Sequence, residues 1–447
     1  MNSERIFKRK IYDRLLQWKQ ESNGKTALLI EGARRVGKST IVKIFAENEY
    51  ESYILIDFTK CSQEVRDLFK DVSDLNYIFL RLQLIYGVQL VERKSLIVFD
   101  EVQFQPLARQ AIKSFVSDRR YDYIETGSLI SIRKNTENIL IPSEEERISM
   151  YPMDFEEFYW ALGDTATIPL LRSIWEHPQP LNEAHRKLMR DFRLYMLVGG
   201  MPQAVDAYLD SNNFEVVDKT KRLILDLYDE DFNKIDPSGR AARIFAAIPA
   251  QLNSNVSRYQ ISSVIPKAKS EDYIELISEM EKSKTVNISH HTYDPNVGLG
   301  SMEDFKQYKM FLGDTGLFVT LAFRDKAFTE NIIYEQLLRD KLATNLGYLY
   351  ENIVAQMLTA SGNKLFYHTW PTENRKHCYE VDFLLSRGTK ITPIEVKSSS
   401  YKAHASLDAF CEKFSSRITN NRYVIYTKDY ARHGPVHYLP AYLAYFL

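Results

Sequence analysis

The chain has little cysteine. Its three residues, Cys61, Cys378 and Cys411, are scattered and odd in number. That argues against a disulfide framework or a cysteine-built zinc site and fits a reducing compartment. Long apolar runs are missing too: none approaches the ~18 residues of a membrane-spanning helix, so no membrane association is expected. There is no excess of either charge, with 58 Lys+Arg against 59 Asp+Glu. Any contact with nucleic acid or anionic lipid therefore needs a local patch rather than a global field. The opening MNSERIFKRKIYDRLLQWKQ has charges throughout and no apolar core, so it does not read as a signal peptide and a cytoplasmic protein is expected.

What is present is the composition of a soluble globular protein, 45% hydrophobic and 26% charged over 447 residues. That length is too great for one ordinary core and points to two or three domains.

The most informative stretch lies near the start. Residues 26–30 (TALLI) form a short apolar run, as a buried parallel strand would, and lead directly into EGARRVGKST. Gly32, Gly37, Lys38 and Ser39 match G-x-x-x-x-G-K-[ST], and Ile41, Ile44 and Phe45 suit one face of a following helix. Each residue type has a reason. The glycines let backbone N–H groups surround a phosphate, Lys38 reaches the β- and γ-phosphates, and Ser39 offers its hydroxyl to Mg²⁺. Ala33, Arg34, Arg35, Val36 and Thr40 complete the nucleotide-binding segment, with Arg34 and Arg35 as candidate phosphate contacts.

A partner motif follows at residues 95–101, SLIVFDE. Asp100, at the carboxyl end of a strand, is placed to hold Mg²⁺ through water, and Glu101 to orient and deprotonate the attacking water. A further strand over 121–126 ends in Gly127 and Ser128, and Ser128 is a candidate to touch the γ-phosphate.

GARRVGKST, LIVFDEVQ and ETGSLI, followed by RISMYPMDFEEF, resemble the AAA-type P-loop ATPases of bacteria and archaea that carry an uncharacterised C-terminal domain with a restriction-endonuclease-like core. The resemblance continues through VGGMPQAV, residues 228–234, YKMFLGDTGLF and ITPIEVKSSS, and so covers most of the chain. It implies ATP and Mg²⁺ as cofactors. It also places Arg147 where the family usually has a Gly-Arg pair, although Glu146 precedes it here. Arg147 is then either a charge-stabilising arginine or a surface residue.

In the middle of the chain, residues 164–178 read as irregular. Residues 183–197 and 220–235 read as helices, with VGGMP as the turn between them. Residues 240–253, 257–264 and 270–282 read as three helices, the last capped by Ser270, and TVNIS and YKMFL follow as a ribbon. This is the pattern of a winged helix. Its third helix is acidic, however, which favours a packing module over a DNA reader.

At the C-terminal end, residues 346–361 read as an amphipathic helix carrying Glu351, YEVDFLL as a strand carrying Asp382, and ITPIEVKSSS as its partner carrying Glu395 and Lys397. A helix (405–414) and a strand (422–427) follow. This order with E…D…E-x-K resembles the PD-(D/E)xK nuclease fold. The resemblance implies Asp382 and Glu395 as ligands of a second Mg²⁺, helped by the Val396 carbonyl. Lys397 would position the water, and Glu351 would bind the metal through water or orient Lys397. The alternative is a buried ion pair in an inactive fold. Tyr367, His368, Arg375, Lys376, His377, Lys402 and His404 form either a phosphate-facing patch or ordinary loop charge.

The expected architecture is α/β. It has a P-loop core (1–165), a helical lid (166–238), a winged-helix-like module (239–325) and a nuclease-like domain (326–447). The expected function is ATP hydrolysis coupled to nucleic-acid binding or cleavage. The alternative is an ATP-driven switch with an inactive nuclease-like fold. A protein partner or self-association is compatible with both.

Overall fold

The computed structural model describes residues 5–128, 139–254, 256–325, 328–341, 347–373, 377–398 and 403–447. The chain divides into two compact units, residues 1–151 with 282–285, and residues 152–281 with 286–447.

In the first unit, five parallel strands form one sheet: β1 (Ala27–Glu31), β2 (Ser52–Asp57), β3 (Ser95–Asp100), β4 (Asp122–Gly127) and β5 (Glu145–Ser149), in the order β2-β3-β4-β1-β5. β3 and β4 are buried along their whole length, which suits a parallel sheet covered on both faces. On one face Ala27, Leu29, Ile97, Phe99 and Tyr123 pack with Ala108, Ile112 and Phe115 of the helix Pro106–Asp118. The helix Lys38–Glu49, which buries Ile41, Val42 and Phe45, starts directly after the loop that leaves β1. β1 lies between β4 and β5, so this loop emerges at the carboxyl edge beside the end of β4. Ligands of open α/β sheets bind at such an edge.

The second unit is built on an eight-stranded mixed sheet. Its strands are β6 (Val286–Thr292), β7 (Glu303–Leu312), β8 (Leu365–Pro371), β9 (Cys378–Arg387), β10 (Lys390–Lys397), β11 (Arg422–Tyr426), β12 (Ala431–His433) and β13 (Val436–Pro440), in the order β12-β13-β11-β10-β9-β8-β6-β7. The ribbon expected to close a winged-helix module is β6 and β7, and it does not stand apart. β6 is buried throughout and pairs in parallel with β8, so the ribbon is one edge of the C-terminal sheet. Ser270 does not cap a helix but lies inside a 3-10 turn, Ser270–Tyr273, that precedes the helix Ile274–Lys282.

The segment expected as a lid, 166–238, lies within this second unit, which takes up the chain at Pro152. The helix Glu183–Val198 buries Phe192 and Tyr195, each worth about 1.5–3 kcal/mol of burial. Residues expected to be irregular contain the helix Thr167–Glu176. Asp164 accepts hydrogen bonds from the Ala166 and Thr167 amides, both at 2.9 Å, and Pro169 falls in the first turn, where its missing N–H costs little.

VGGMP is the expected turn, and its constraint comes from DTGLF. The Asp314 carboxylate accepts hydrogen bonds from Gly200 N (2.6 Å) and from Leu317 N (2.8 Å). Gly316 lies so close to Gly199 that a Cβ would sit 2.5 Å from its Cα. The two motifs interlock by backbone contact, which explains their composition without chemistry.

Candidate functional site

The loop after β1 folds around its own lysine. Gly37 (φ +98°) and Arg35 (φ +73°) adopt left-handed conformations that suit glycine best. A Cβ on Gly32 would meet the Met150 carbonyl oxygen at 2.4 Å. Lys38, almost fully buried, donates to the carbonyls of Gly32 (2.8 Å) and Ala33 (2.9 Å). Ala33 and Val36 are buried in the loop, Arg34 is partly buried, and Arg35 and Thr40 are exposed.

The acidic partners arrive from β3. Ser39 Oγ donates to Asp100 Oδ1 at 2.7 Å, and the Thr126 hydroxyl donates to the same oxygen. Glu101 leaves the strand in the left-handed region (φ 54°, ψ 48°), and Gln103 Nε2 donates to its Oε2 at 2.5 Å. Ser128 is buried just beyond the end of β4. Ser39 and Asp100, expected to share Mg²⁺, are thus already in contact at the mouth of the loop. This donor set fits a magnesium nucleotide: a hard oxygen pair beside a buried ammonium at a helix N-terminus.

Two contributors were not visible in the sequence. Arg9 Nη1 donates to the Val36 carbonyl and Nη2 to the Tyr151 carbonyl, both at 2.7 Å. It ties the phosphate loop to the end of the unit from 27 residues upstream, and no local pattern marks it. Gln103 had one faint signal, its place two residues after Glu101.

Arg147 is placed away from this centre. Its β1 partner is Leu29, on the face covered by the helix Pro106–Asp118. Its Nε donates to Glu145 Oε1 at 2.8 Å. Glu145, whose side chain is fully buried, is also held by the buried Arg109 at 2.9 and 3.0 Å. Beside this group the buried Glu125 has its carboxyl pushed well above the ordinary range, by burial first and by the neighbouring Glu145 second.

In the second unit the four candidate residues do come together. β9 and β10 pair with Phe383 opposite Ile394, which brings Asp382 beside Glu395. Lys397 Nζ lies 2.6 Å from Glu395 Oε1. Val396 approaches Asp382 through its amide, which donates to Oδ2 at 2.8 Å, rather than through the carbonyl expected to bind metal. Burial, and then Asp382, push the Glu395 carboxyl up. Burial also pushes Glu351 up, against the pull of Lys309.

Lys309, on β7, is a member that the sequence did not reveal. Its buried ammonium lies 3.4 Å from Glu351 Oε2 and 3.6 Å from Asp382 Oδ1, and it pairs with Glu380. Among the described residues no group of three or more His, Cys, Asp or Glu is arranged to hold a metal ion. The two expected ligands of a second Mg²⁺ are in contact with protein groups, Asp382 with the Val396 amide and Glu395 with Lys397.

The basic and aromatic patch dissolves in part. Tyr367 and His368 are buried, and His368 stacks on Trp370 with ring centroids 5.3 Å apart. His404 Nε2 is hydrogen-bonded with the Tyr438 hydroxyl at 2.7 Å. His377 is exposed, while Arg375, Lys376 and Lys402 lie outside the described residues. Among the described residues no helix is long and apolar enough to cross a membrane.

Residues 24–159 match the family described as an AAA domain. Residues 189–327 and 346–442 match two families described as domains of unknown function, DUF8612 and DUF4143. No curated protein matches the chain. Among solved structures it is similar to the Walker-type ATPase PABY2304 of Pyrococcus abyssi, at 17% identity and a TM-score of 0.45, over 71% of this chain and 96% of that one. It is also similar to the Orc1 protein of Aeropyrum pernix in complex with DNA, at 12% identity and a TM-score of 0.28, over 76% and 94%. A third is the signal transduction ATPase with a tetratricopeptide repeat sensor, PH0952, of Pyrococcus horikoshii, at 13% identity and a TM-score of 0.28, over 80% and 46%.

Proposed function

We propose that this chain, whose N-terminal unit is an AAA-type P-loop ATPase domain, is a nucleotide-driven switch that binds ATP with Mg²⁺ and hydrolyses it. The observation that carries this reading is the contact of Ser39 Oγ with Asp100 Oδ1 at 2.7 Å. It joins the end of the phosphate loop to the acidic end of β3 at the place where a shared cation would be held. Bound Mg²⁺ would neutralise phosphate charge there.

The chain's own residues do the rest. Lys38 exchanges its two loop carbonyls for phosphate oxygens. The loop amides and the start of the helix Lys38–Glu49 cradle the phosphates, with Arg34 and Arg35 at the rim. Glu101, pinned by Gln103, accepts the proton of the attacking water, and Ser128 lies beyond β4 as the candidate sensor of the γ-phosphate. Arg147 takes no part, because its guanidinium is engaged by Glu145 on the other face of the sheet. The test is equilibrium binding of ATP: Lys38→Ala should abolish it, and undiminished binding would overturn the reading.

A second reading is favoured by one observation, the gathering of Glu351, Asp382, Glu395 and Lys397 in one cluster. In it the C-terminal unit binds or cleaves nucleic acid. Incubating single- and double-stranded DNA and RNA with the protein and Mn²⁺, with and without ATP and beside Lys397→Ala, decides it. Cleavage lost in the variant supports a nuclease. No cleavage leaves the unit as an interaction surface for a protein partner or a second copy.

A further inference from the structure

We infer that Lys309 is the resident cation of the acidic cluster, held by Glu351, Glu380 and Asp382 and so occupying one of the two carboxylates that the E…D…E-x-K pattern assigns to a divalent ion. Four carboxyl groups converge here, from Glu351 on the helix Gly347–Ala360, Glu380 and Asp382 on β9, and Glu395 on β10. A Mg²⁺ site needs carboxylate oxygens that meet at roughly 2.0–2.1 Å from one point, with room for several waters. Here the shared point of Glu351, Glu380 and Asp382 is filled by the Lys309 ammonium.

Two further oxygens are engaged as well. Asp382 Oδ2 accepts the Val396 amide at 2.8 Å, and Glu395 Oε1 holds Lys397 at 2.6 Å. Glu395 Oε2 is buried and has no hydrogen-bond partner, but one oxygen does not make a metal site.

Lys309 is only 6% exposed. It projects from the edge strand β7, whose residues Tyr308–Leu312 are all buried. It therefore acts as a fixed tie between β7, β9 and the helix carrying Glu351. An ammonium gives what an isolated acidic cluster lacks, a compact positive charge within ion-pair reach of three carboxylates. The buried pairs also explain why two lysines face one acidic cluster: Lys309 serves Glu351, Glu380 and Asp382, and Lys397 serves Glu395.

This inference rests on the switch reading only in its view of the second unit. ATP turnover reports on the first unit and Mn²⁺ binding on this cluster, so the two can fail separately. The experiment is Mn²⁺ binding to the nucleotide-free full chain, followed by electron paramagnetic resonance and calorimetry. The wild type, Asp382→Asn and Glu395→Gln should bind the same number of ions. Lys309→Met should gain one ion per chain, at least tenfold tighter than any the wild type holds at this cluster, and Lys309→Met with Asp382→Asn should lose it. A wild-type site that Asp382→Asn and Glu395→Gln both abolish would overturn the inference. So would a folded Lys309→Met that gains no ion. Should Lys309→Met fail to fold by circular dichroism, the comparison of the wild type with the two carboxylate variants decides the question alone.

Discussion

Arg9 reaches across the first unit to bind the carbonyl of Val36, inside the phosphate loop, at 2.7 Å. The same guanidinium holds the carbonyl of Tyr151 at 2.7 Å, where the unit ends. The loop that must keep its shape when phosphate arrives is therefore braced from outside by a residue with no part in the motif.

The first prediction follows from that brace. Each bond from a charged donor contributes about 1.5–3 kcal/mol, and only the part that shapes the loop appears in nucleotide affinity. Arg9→Ala should weaken ATP binding by about tenfold or more and lower the melting temperature, and Arg9→Lys should recover little of either, since an ammonium lacks the two-pronged fork. Titration with a fluorescent ATP analogue measures it. Unchanged affinity in Arg9→Ala would mean the brace is incidental.

The second concerns the interlocked glycines. A Cβ at Gly316 would lie 2.5 Å from both the Gly199 Cα and the Val198 carbonyl oxygen, all of them backbone atoms. Gly316→Ala should cost about 3 kcal/mol or more in denaturant unfolding. Gly300→Ala, whose nearest neighbour is Phe366 Cζ at 3.9 Å, is the control and should change stability by less than about 0.5 kcal/mol.

The third is a pH dependence. Burial holds the His368 imidazole down to about 4, below its ordinary value of 6.5, against the hydrogen bond to Thr292 and with help from His291. The folded state thus binds fewer protons than the unfolded chain between these values. Its contribution is fully present above pH 6.5 and is lost as pH falls toward 4, on the order of 3 kcal/mol in all. His368→Phe should therefore be less stable at pH 7.5, where it lacks the bond to Thr292, yet lose less on acidification. His290, His291, His185 and His437 shift the same way, so the slope should flatten rather than vanish. Thermal melts from pH 7.5 to 4.5 measure it. Parallel curves would contradict it.

These predictions separate what a reader of the sequence could see from what only the fold reveals. Gly32 to Ser39 were legible because the chemistry sits in consecutive residues, where spacing alone sets geometry. Asp100 and Glu101 were legible because an apolar run ends in them. Arg9 and Lys309 were not, because their partners lie far along the chain: Val36 and Tyr151 for one, Glu351, Glu380 and Asp382 for the other. The bounds of β5 were not legible because EERIS has no continuous apolar face: the buried Glu145 side chain is held by Arg109 and by the exposed Arg147. The ribbon β6–β7 was legible as strands, but its neighbour was not, since β8 follows more than fifty residues after β7.

The most direct measurement is ATP binding and turnover by Glu101→Gln beside the wild type, with Mg²⁺. Glutamine keeps the shape of Glu101 and its place beside Gln103 but cannot take a proton from water. The variant should bind ATP within about threefold of the wild type and hydrolyse it at least about a hundredfold more slowly, the usual contribution of a positioned base. Turnover at the wild-type rate would contradict the assignment of Glu101 and, with it, the account of how this site uses ATP.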